Sequence, residues 1–266
     1  MTNSKVAIIG CGNLGLSLVH GLIEKDKTMA SNIIATKRNI VQLKPLIEVG
    51  VQTTSDNKKA VRESNIIILS VKPYDTKSVI EEIRSELDPK RHILVSVATS
   101  ITNKEICEWA QLELPIFRAM PNTAADVREA VTAICHINAS ENDINVITQL
   151  FNSIGITIFI NEELMESATI LGACGIAYVL RFIRAMTQGG IQVGFDSETA
   201  GRIVSQTVKG AAELLIKRKE HPESQIDKVT TPKGCTIVGL NEMEHSGFSS
   251  ALIKGIVASY QKLEKS

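Results

Sequence analysis

Short apolar runs alternate with helical repeats through the first 160 residues, and only helical repeats follow. VAIIG (6–10) is apolar throughout, which predicts a strand buried on both faces, and Leu14, Leu18, Val19 and Leu22 then recur at helical spacing. NIIAT (32–36), NIIILSV (65–71), HILVSVA (92–98) and PIFRAM (115–120) predict further strands. Helical stretches at 40–49, 56–64, 75–86 and 102–111 separate them. This alternation predicts a parallel sheet with helices on both faces. AVTAICHI (130–137) and GITIFI (155–160) add two strands around a polar helix at 141–153. Beyond Ile160 the pattern predicts helices at 162–189, 196–218, 222–229, 234–245 and 247–265. The expected division is therefore 1–160, an α/β domain, and 161–266, a helical domain.

Gly10-Cys11-Gly12-Asn13-Leu14-Gly15 is G-x-G-x-x-G between a strand and a helix. The first glycine makes the tight turn. The second lets backbone approach a diphosphate, and the third lets helix and strand pack closely. Backbone at Asn13 and Leu14 opens the helix whose N-terminus meets the phosphates. This is the context of a dinucleotide site on a Rossmann-type doubly wound sheet. An acidic residue at the end of the second strand would mark NAD, but the strand ends Thr36-Lys37-Arg38. The Thr36 hydroxyl and the two cations suit a 2′-phosphate, so NADPH is expected, with NADH possible but weaker. The reading beside it is a solvated loop. Val71-Lys72-Pro73 and Val97-Ala98-Thr99 end two further strands on the rim where ligands sit in such sheets.

The segment 229–259 carries the most specific signal. A Thr/Pro/Gly loop, Thr230 to Thr236, feeds a helical pattern through Leu240 and Met243, and Phe248, Leu252 and Ile256 follow a Gly247 break. Such a loop aims several N–H donors at one point and suits a carboxylate or phosphate; an ordinary helix cap is the plain alternative.

Val229, Thr230, Thr231, Pro232, Gly234, Thr236, Ile237, Gly239, Leu240, Glu244, Gly247 and Phe248 match, in order and without a gap, the C-terminal signature of the pyrroline-5-carboxylate reductases. The chain resembles that family from Val6 to about Ser259. The resemblance implies NADPH-dependent reduction of a small cyclic imine to proline, and a C-terminal domain that forms a homodimer or a larger assembly of dimers. It implies that Val71, Lys72 and Pro73 form the nicotinamide-side loop, and that Pro121 and Asn122 of M-P-N-T border the same crevice. It places Asn57 near the adenosine ribose. It also implies that Thr231, Gly234, Cys235 and Thr236 hold the substrate carboxylate, with the Thr236 hydroxyl facing the imine nitrogen as the catalytic contact.

The chain departs from the family's S-G-S-G-P-A-Y at Gly172-Ala173-Cys174-Gly175-Ile176-Ala177-Tyr178. Two hydroxyls and a proline are replaced, which bears on the identity of the imine and on turnover. A reductase of another cyclic imine or small oxo-acid is the nearest rival, and a non-catalytic dinucleotide-binding protein the next. The β-hydroxyacid dehydrogenases place a catalytic lysine on the first long helix, and 162–188 contains none.

Composition narrows the partners. The chain is 266 residues long, 44% hydrophobic, 4% aromatic and of zero net charge. No basic field or stacking surface points to nucleic acid. Ser167 to Leu180 is nearly uncharged but shorter than a membrane span, so no membrane is expected. The five cysteines (11, 107, 135, 174 and 235) are odd in number and form no C-x-x-C pair. They read as reduced thiols in a cytoplasmic protein, with no disulfide framework and no metal site. The first strand begins at Val6, which leaves no room for a signal peptide.

Overall fold

A computed structural model describes residues 4–264 of the chain. It divides into two compact units. The first runs to Ile176 and takes in the chain end from Tyr260, and the second spans Ala177–Ser259.

In the first unit β1 (Val6–Ile9), α1 (Asn13–Lys25), β2 (Ile33–Thr36), α2 (Lys44–Glu48), β3 (Gln52–Thr54), α3 (Asn57–Arg62), β4 (Ile66–Leu69), α4 (Pro73–Ile83), β5 (Ile93–Ser96), α5 (Asn103–Ala110) and β6 (Ile116–Met120) follow in order. They are joined by β7 (Ala130–Ile137), α6 (Glu141–Asn152) and β8 (Gly155–Phe159). The strands form one sheet in the order β3-β2-β1-β4-β5-β6-β7-β8. β1, β2, β4, β5 and β6 have every residue buried, as apolar strands covered on both faces must. One face packs Ile8, Ile33, Ile68, Val95 and Phe117 against Leu18, Leu22 and Phe151. The other packs Ala7, Ile67, Leu94 and Ile116 against Ile80, Ile83 and Ile106.

Two features depart from the expected pattern. β3 is a three-residue edge strand, Gln-Thr-Thr, inside a region that shows no apolar run. β7 is antiparallel to β6, and β8 is parallel to β7, so the sheet is mixed rather than wholly parallel. The link from β6 to β7 holds only one short 3₁₀ segment, Thr123–Val127. That is too short for the crossover a parallel pair needs.

Past β8 the chain is helical. α7 (Met165–Ala168) passes through a π-helical segment, Thr169–Cys174, into α8 (Gly175–Gln192). α9 (Ser197–Arg218), α10 (Pro222–Val229), α11 (Cys235–His245) and α12 (Phe248–Glu264) complete it. The strands end at Phe159, as the pattern predicts, but compactness divides the chain later, after Ile176. Residue 265, the expected end of the last helix, lies outside the described residues. Within the second unit Tyr178 Oη and Ser259 Oγ share a hydrogen bond at 2.7 Å, and Phe182 stacks at a tilt on Phe248.

Candidate functional site: a nucleotide rim and an anion loop

The carboxyl ends of β1, β2, β4, β5 and β6 share one rim of the sheet, since these strands are parallel. The order reverses between β1 and β4, the switch point at which a dinucleotide lies across such a sheet. Gly10 sits there with φ +80, in the left-handed region. A Cβ on it would lie 2.3 Å from Val71 Cγ1 and 3.1 Å from Val71 Cα, so both the backbone angle and the β4–α4 loop require glycine. Over Gly12 there is open space, since a Cβ would meet only the Gly10 carbonyl at 3.9 Å. No side chain caps α1 at Gly12, so the first N–H groups of the helix, at Asn13 and Leu14, face that space. A Cβ on Gly15 would touch Ile8 at 3.3 Å, the close helix–strand approach expected of the third glycine. These features fit a diphosphate.

The loop is braced from β2. Cys11 N–H donates to the Thr36 carbonyl at 2.7 Å, and Gly10 N–H to Thr36 Oγ1 at 3.2 Å. Thr36 Oγ1 donates in turn to Asn57 Oδ1 at 2.7 Å, and Asn57 Nδ2 donates to Glu82 at 3.1 Å. Thr36 is buried. Its hydroxyl and the Asn57 carboxamide are thus engaged with each other and with the loop. Lys37 and Arg38 follow at the end of β2. Arg38 is almost wholly exposed and stands 3.6 Å from Asp75. Burial pushes the Cys11 thiol up to about 11, opposed by the positive charge of Lys37, which therefore lies within electrostatic reach of the glycine loop.

On the far side of the switch point Lys72 is the N-cap of α4 with Pro73 in its first turn, and the Lys72 side chain is left exposed. Ala98 and Pro121 are buried at the ends of the β5 and β6 runs. Asn122 is buried too, with Oδ1 accepting from Ala124 N–H at 3.1 Å and Nδ2 donating to the Gly172 carbonyl at 2.9 Å.

In the second unit the loop between α10 and α11 turns through Lys233 at φ +60. Gly234 N–H donates to the Thr231 carbonyl at 2.9 Å, and a Cβ on Gly234 would press on Thr231 Oγ1 at 2.6 Å. Gly234 is the N-cap of α11 without a side-chain cap, and Thr231, Cys235 and Thr236 are exposed. The structure thus brings Thr231, Gly234, Cys235 and Thr236 together at an open helix start.

The model described as pyrroline-5-carboxylate reductase dimerisation matches residues 162–266. The model described as NADP oxidoreductase coenzyme F420-dependent matches residues 5–100. Pyrroline-5-carboxylate reductase 2 of Dictyostelium discoideum is 42% identical over 280 residues, covering 99% of this chain and 93% of its own. The chain belongs to the pyrroline-5-carboxylate reductase family. Reductase 1 of the same organism is also 42% identical over 97% of this chain, which spans about half (49%) of that longer relative. The crystal structure of the Plasmodium falciparum pyrroline carboxylate reductase, with NADP bound, superposes at a TM-score of 0.88 with 27% identity, covering 100% of this chain and 98% of that one. The Coxiella burnetii pyrroline-5-carboxylate reductase superposes at 0.89 with 27% identity, covering 99% and 98%.

Membership of this reductase family bears on one further feature of the chain. The helix from Glu162 to Gln192 is long enough to cross a membrane, and its most apolar 18-residue stretch has a mean hydropathy of 1.5, yet only 11% of that stretch is buried. The sequence pattern anticipates a shorter uncharged stretch, because Arg181 and Arg184 interrupt it. The helix lies wholly inside the dimerisation match, which implies self-association. Its exposed Leu171, Val179, Leu180 and Ile191 are the kind of surface that a second copy covers.

One buried cluster has no counterpart in the sequence reading. Arg118, 2% exposed in β6, donates to Glu162 at 2.9 Å and Glu166 at 3.0 Å, and Glu162 also accepts from Asn103 N–H at 2.7 Å. Burial lowers the affinity of the guanidinium for its proton, but the two carboxylates outweigh it, and the pKa stays raised. The arginine fastens β6 to the start of the long helix. An arginine among four apolar strand residues was the available signal. Among the described residues no cluster of His, Cys, Asp or Glu could hold a metal.

Proposed function

We propose that the chain reduces 1-pyrroline-5-carboxylate to L-proline with NADPH, in the cytoplasm and as a homodimer or an assembly of dimers. The observation that carries this reading is full-length membership of the reductase family together with a switch-point loop shaped for a diphosphate.

NADPH supplies the hydride when bound. The protein's part is to bind and to orient. The glycine loop and the start of α1 take the diphosphate, and Lys37 and Arg38 meet the 2′-phosphate, Arg38 leaving only a long, solvated contact to Asp75. Thr36 and Asn57 act from behind, as the brace of the loop. The open start of α11 offers N–H donors to the substrate carboxylate, helped by Thr231. The Thr236 hydroxyl orients the imine nitrogen. The C=N carbon receives the hydride and the nitrogen keeps or gains one proton, so a neutral hydroxyl suffices for polarisation, with solvent or the protonated imine closing the proton balance.

The test is NADPH oxidation with pyrroline-5-carboxylate beside a panel of other cyclic imines and small oxo-acids, with proline quantified as product. Faster turnover of another imine would reassign the substrate. Nucleotide binding without turnover of any of them would favour a non-catalytic role.

A further inference from the structure

Asn122 stands two residues past the end of β6, the last of the parallel strands on the nucleotide rim. The adenosine half of a dinucleotide lies on the β2 side of the switch point, where Lys37 and Arg38 stand, so the nicotinamide half extends over β4, β5 and β6. Asn122 therefore stands at the reacting end. Its carboxamide nevertheless has both ends engaged within the protein, at Ala124 N–H and at the Gly172 carbonyl. Only 5% of the residue is exposed, which leaves the side chain little surface to offer a ligand.

What Asn122 holds is the π-helical segment Thr169–Cys174. A π segment is strained relative to an α-helix and persists where surroundings hold it. Two contacts meet this one at Gly172. Asn122 Nδ2 takes the Gly172 carbonyl, and Val131 of β7 packs so closely that a Cβ on Gly172 would stand 3.3 Å from its Cγ1. We infer that Asn122 is a positioning residue: it sets the π turn at 169–174 at the nicotinamide end of the rim, and it does so without binding the cofactor. The inference rests on the reductase reading above.

Asn122→Asp keeps an oxygen for Ala124 N–H and replaces the donor to Gly172 with a carboxylate. The expected result is a ten- to hundredfold fall in kcat/KM for pyrroline-5-carboxylate, with the Kd for NADPH, by fluorescence titration, within about twofold of wild type. Faster amide exchange should be confined to residues 169–176. Gly172→Ala, which crowds Val131 while leaving Asn122 intact, should lower kcat/KM in the same way, and Gly172→Ala with Val131→Ala should recover most of it. A Kd for NADPH that rises in parallel with the loss of rate overturns the inference and makes Asn122 a cofactor ligand. An unchanged rate despite faster exchange overturns it as well, since the bridge is then a structural tie alone. If wild type fails to turn over pyrroline-5-carboxylate, the substrate reading falls, and the rate arms are run on whichever imine the panel identifies.

Discussion

Replacing Lys37 and Arg38 together with alanine tests the cofactor assignment most directly. Arg38 is 95% exposed and its contact to Asp75 is 3.6 Å long, so redirecting its guanidinium to a phosphate gives up almost nothing. Lys37 lies close enough to the glycine loop to oppose the rise in the Cys11 pKa. A hydrogen bond to a charged group contributes about 1.5–3 kcal/mol. Both side chains begin in water, so the lower figure applies to each, about 3 kcal/mol for the pair. NADH lacks the 2′-phosphate and forgoes both contacts. The double variant should therefore lose roughly a hundredfold in the ratio of kcat/KM for NADPH to that for NADH, nearly all of it through NADPH. In wild type the ratio should also fall with added salt, because the contacts are solvent-exposed. Steady-state kinetics with both nucleotides at two ionic strengths reads all of this. A ratio that survives the double substitution refutes the assignment and moves the 2′-phosphate contacts elsewhere on the rim.

Four further outcomes are expected. Thr236→Val should lower kcat with pyrroline-5-carboxylate by about tenfold while leaving NADPH affinity intact, since one neutral hydrogen bond is worth about 0.5–1.5 kcal/mol; Thr231→Val should mainly raise KM, and wild-type turnover by both would make the loop a plain helix cap. Arg118→Met strands Glu162 and Glu166 beside a buried strand and should destabilise the fold by about 3 kcal/mol, read by urea denaturation; the loss is held down by the partial exposure of both carboxylates. Cys11 should resist iodoacetamide at pH 9 in the native protein and react in urea. Its raised pKa means that the unfolded thiol ionises first, so its contribution to stability is intact below pH 9 and is lost as pH climbs towards about 11. Light scattering at micromolar concentration should find a dimer or a multiple of it, and a monodisperse monomer would contradict the self-association that the dimerisation match implies.

The residues that showed themselves in the sequence are those whose task constrains residue type locally. Gly10 and Gly15 are tied to a turn and a close helix–strand approach, Gly12 to the open space at the start of α1, and the apolar runs of β1, β4 and β5 to burial on both faces. The fully helical second half was equally legible, because 3.6-residue periodicity survives over long spans. What stayed hidden depends on distant partners. β3 is polar because it is a short edge strand, so it leaves no pattern. The reversal at β7 follows from a loop too short to cross over, a fact about space rather than residue type. Nothing in the sequence reveals that Thr36 and Asn57, 21 positions apart, bond to each other. Arg118 carries no local mark of its two carboxylates, 44 and 48 residues away.

The exposed apolar helix also governs how the protein comes into being. Each new chain emerges with a segment as greasy as a bilayer span turned towards water. If pairing is what hides that segment, it does so at a rate set by the square of chain concentration, whereas capture by a chaperone or a membrane in excess proceeds at a rate set by its first power. The yield of working enzyme should therefore rise more steeply than expression itself. Dilution then acts on this protein as a denaturant does, lowering its Tm without any change in solvent.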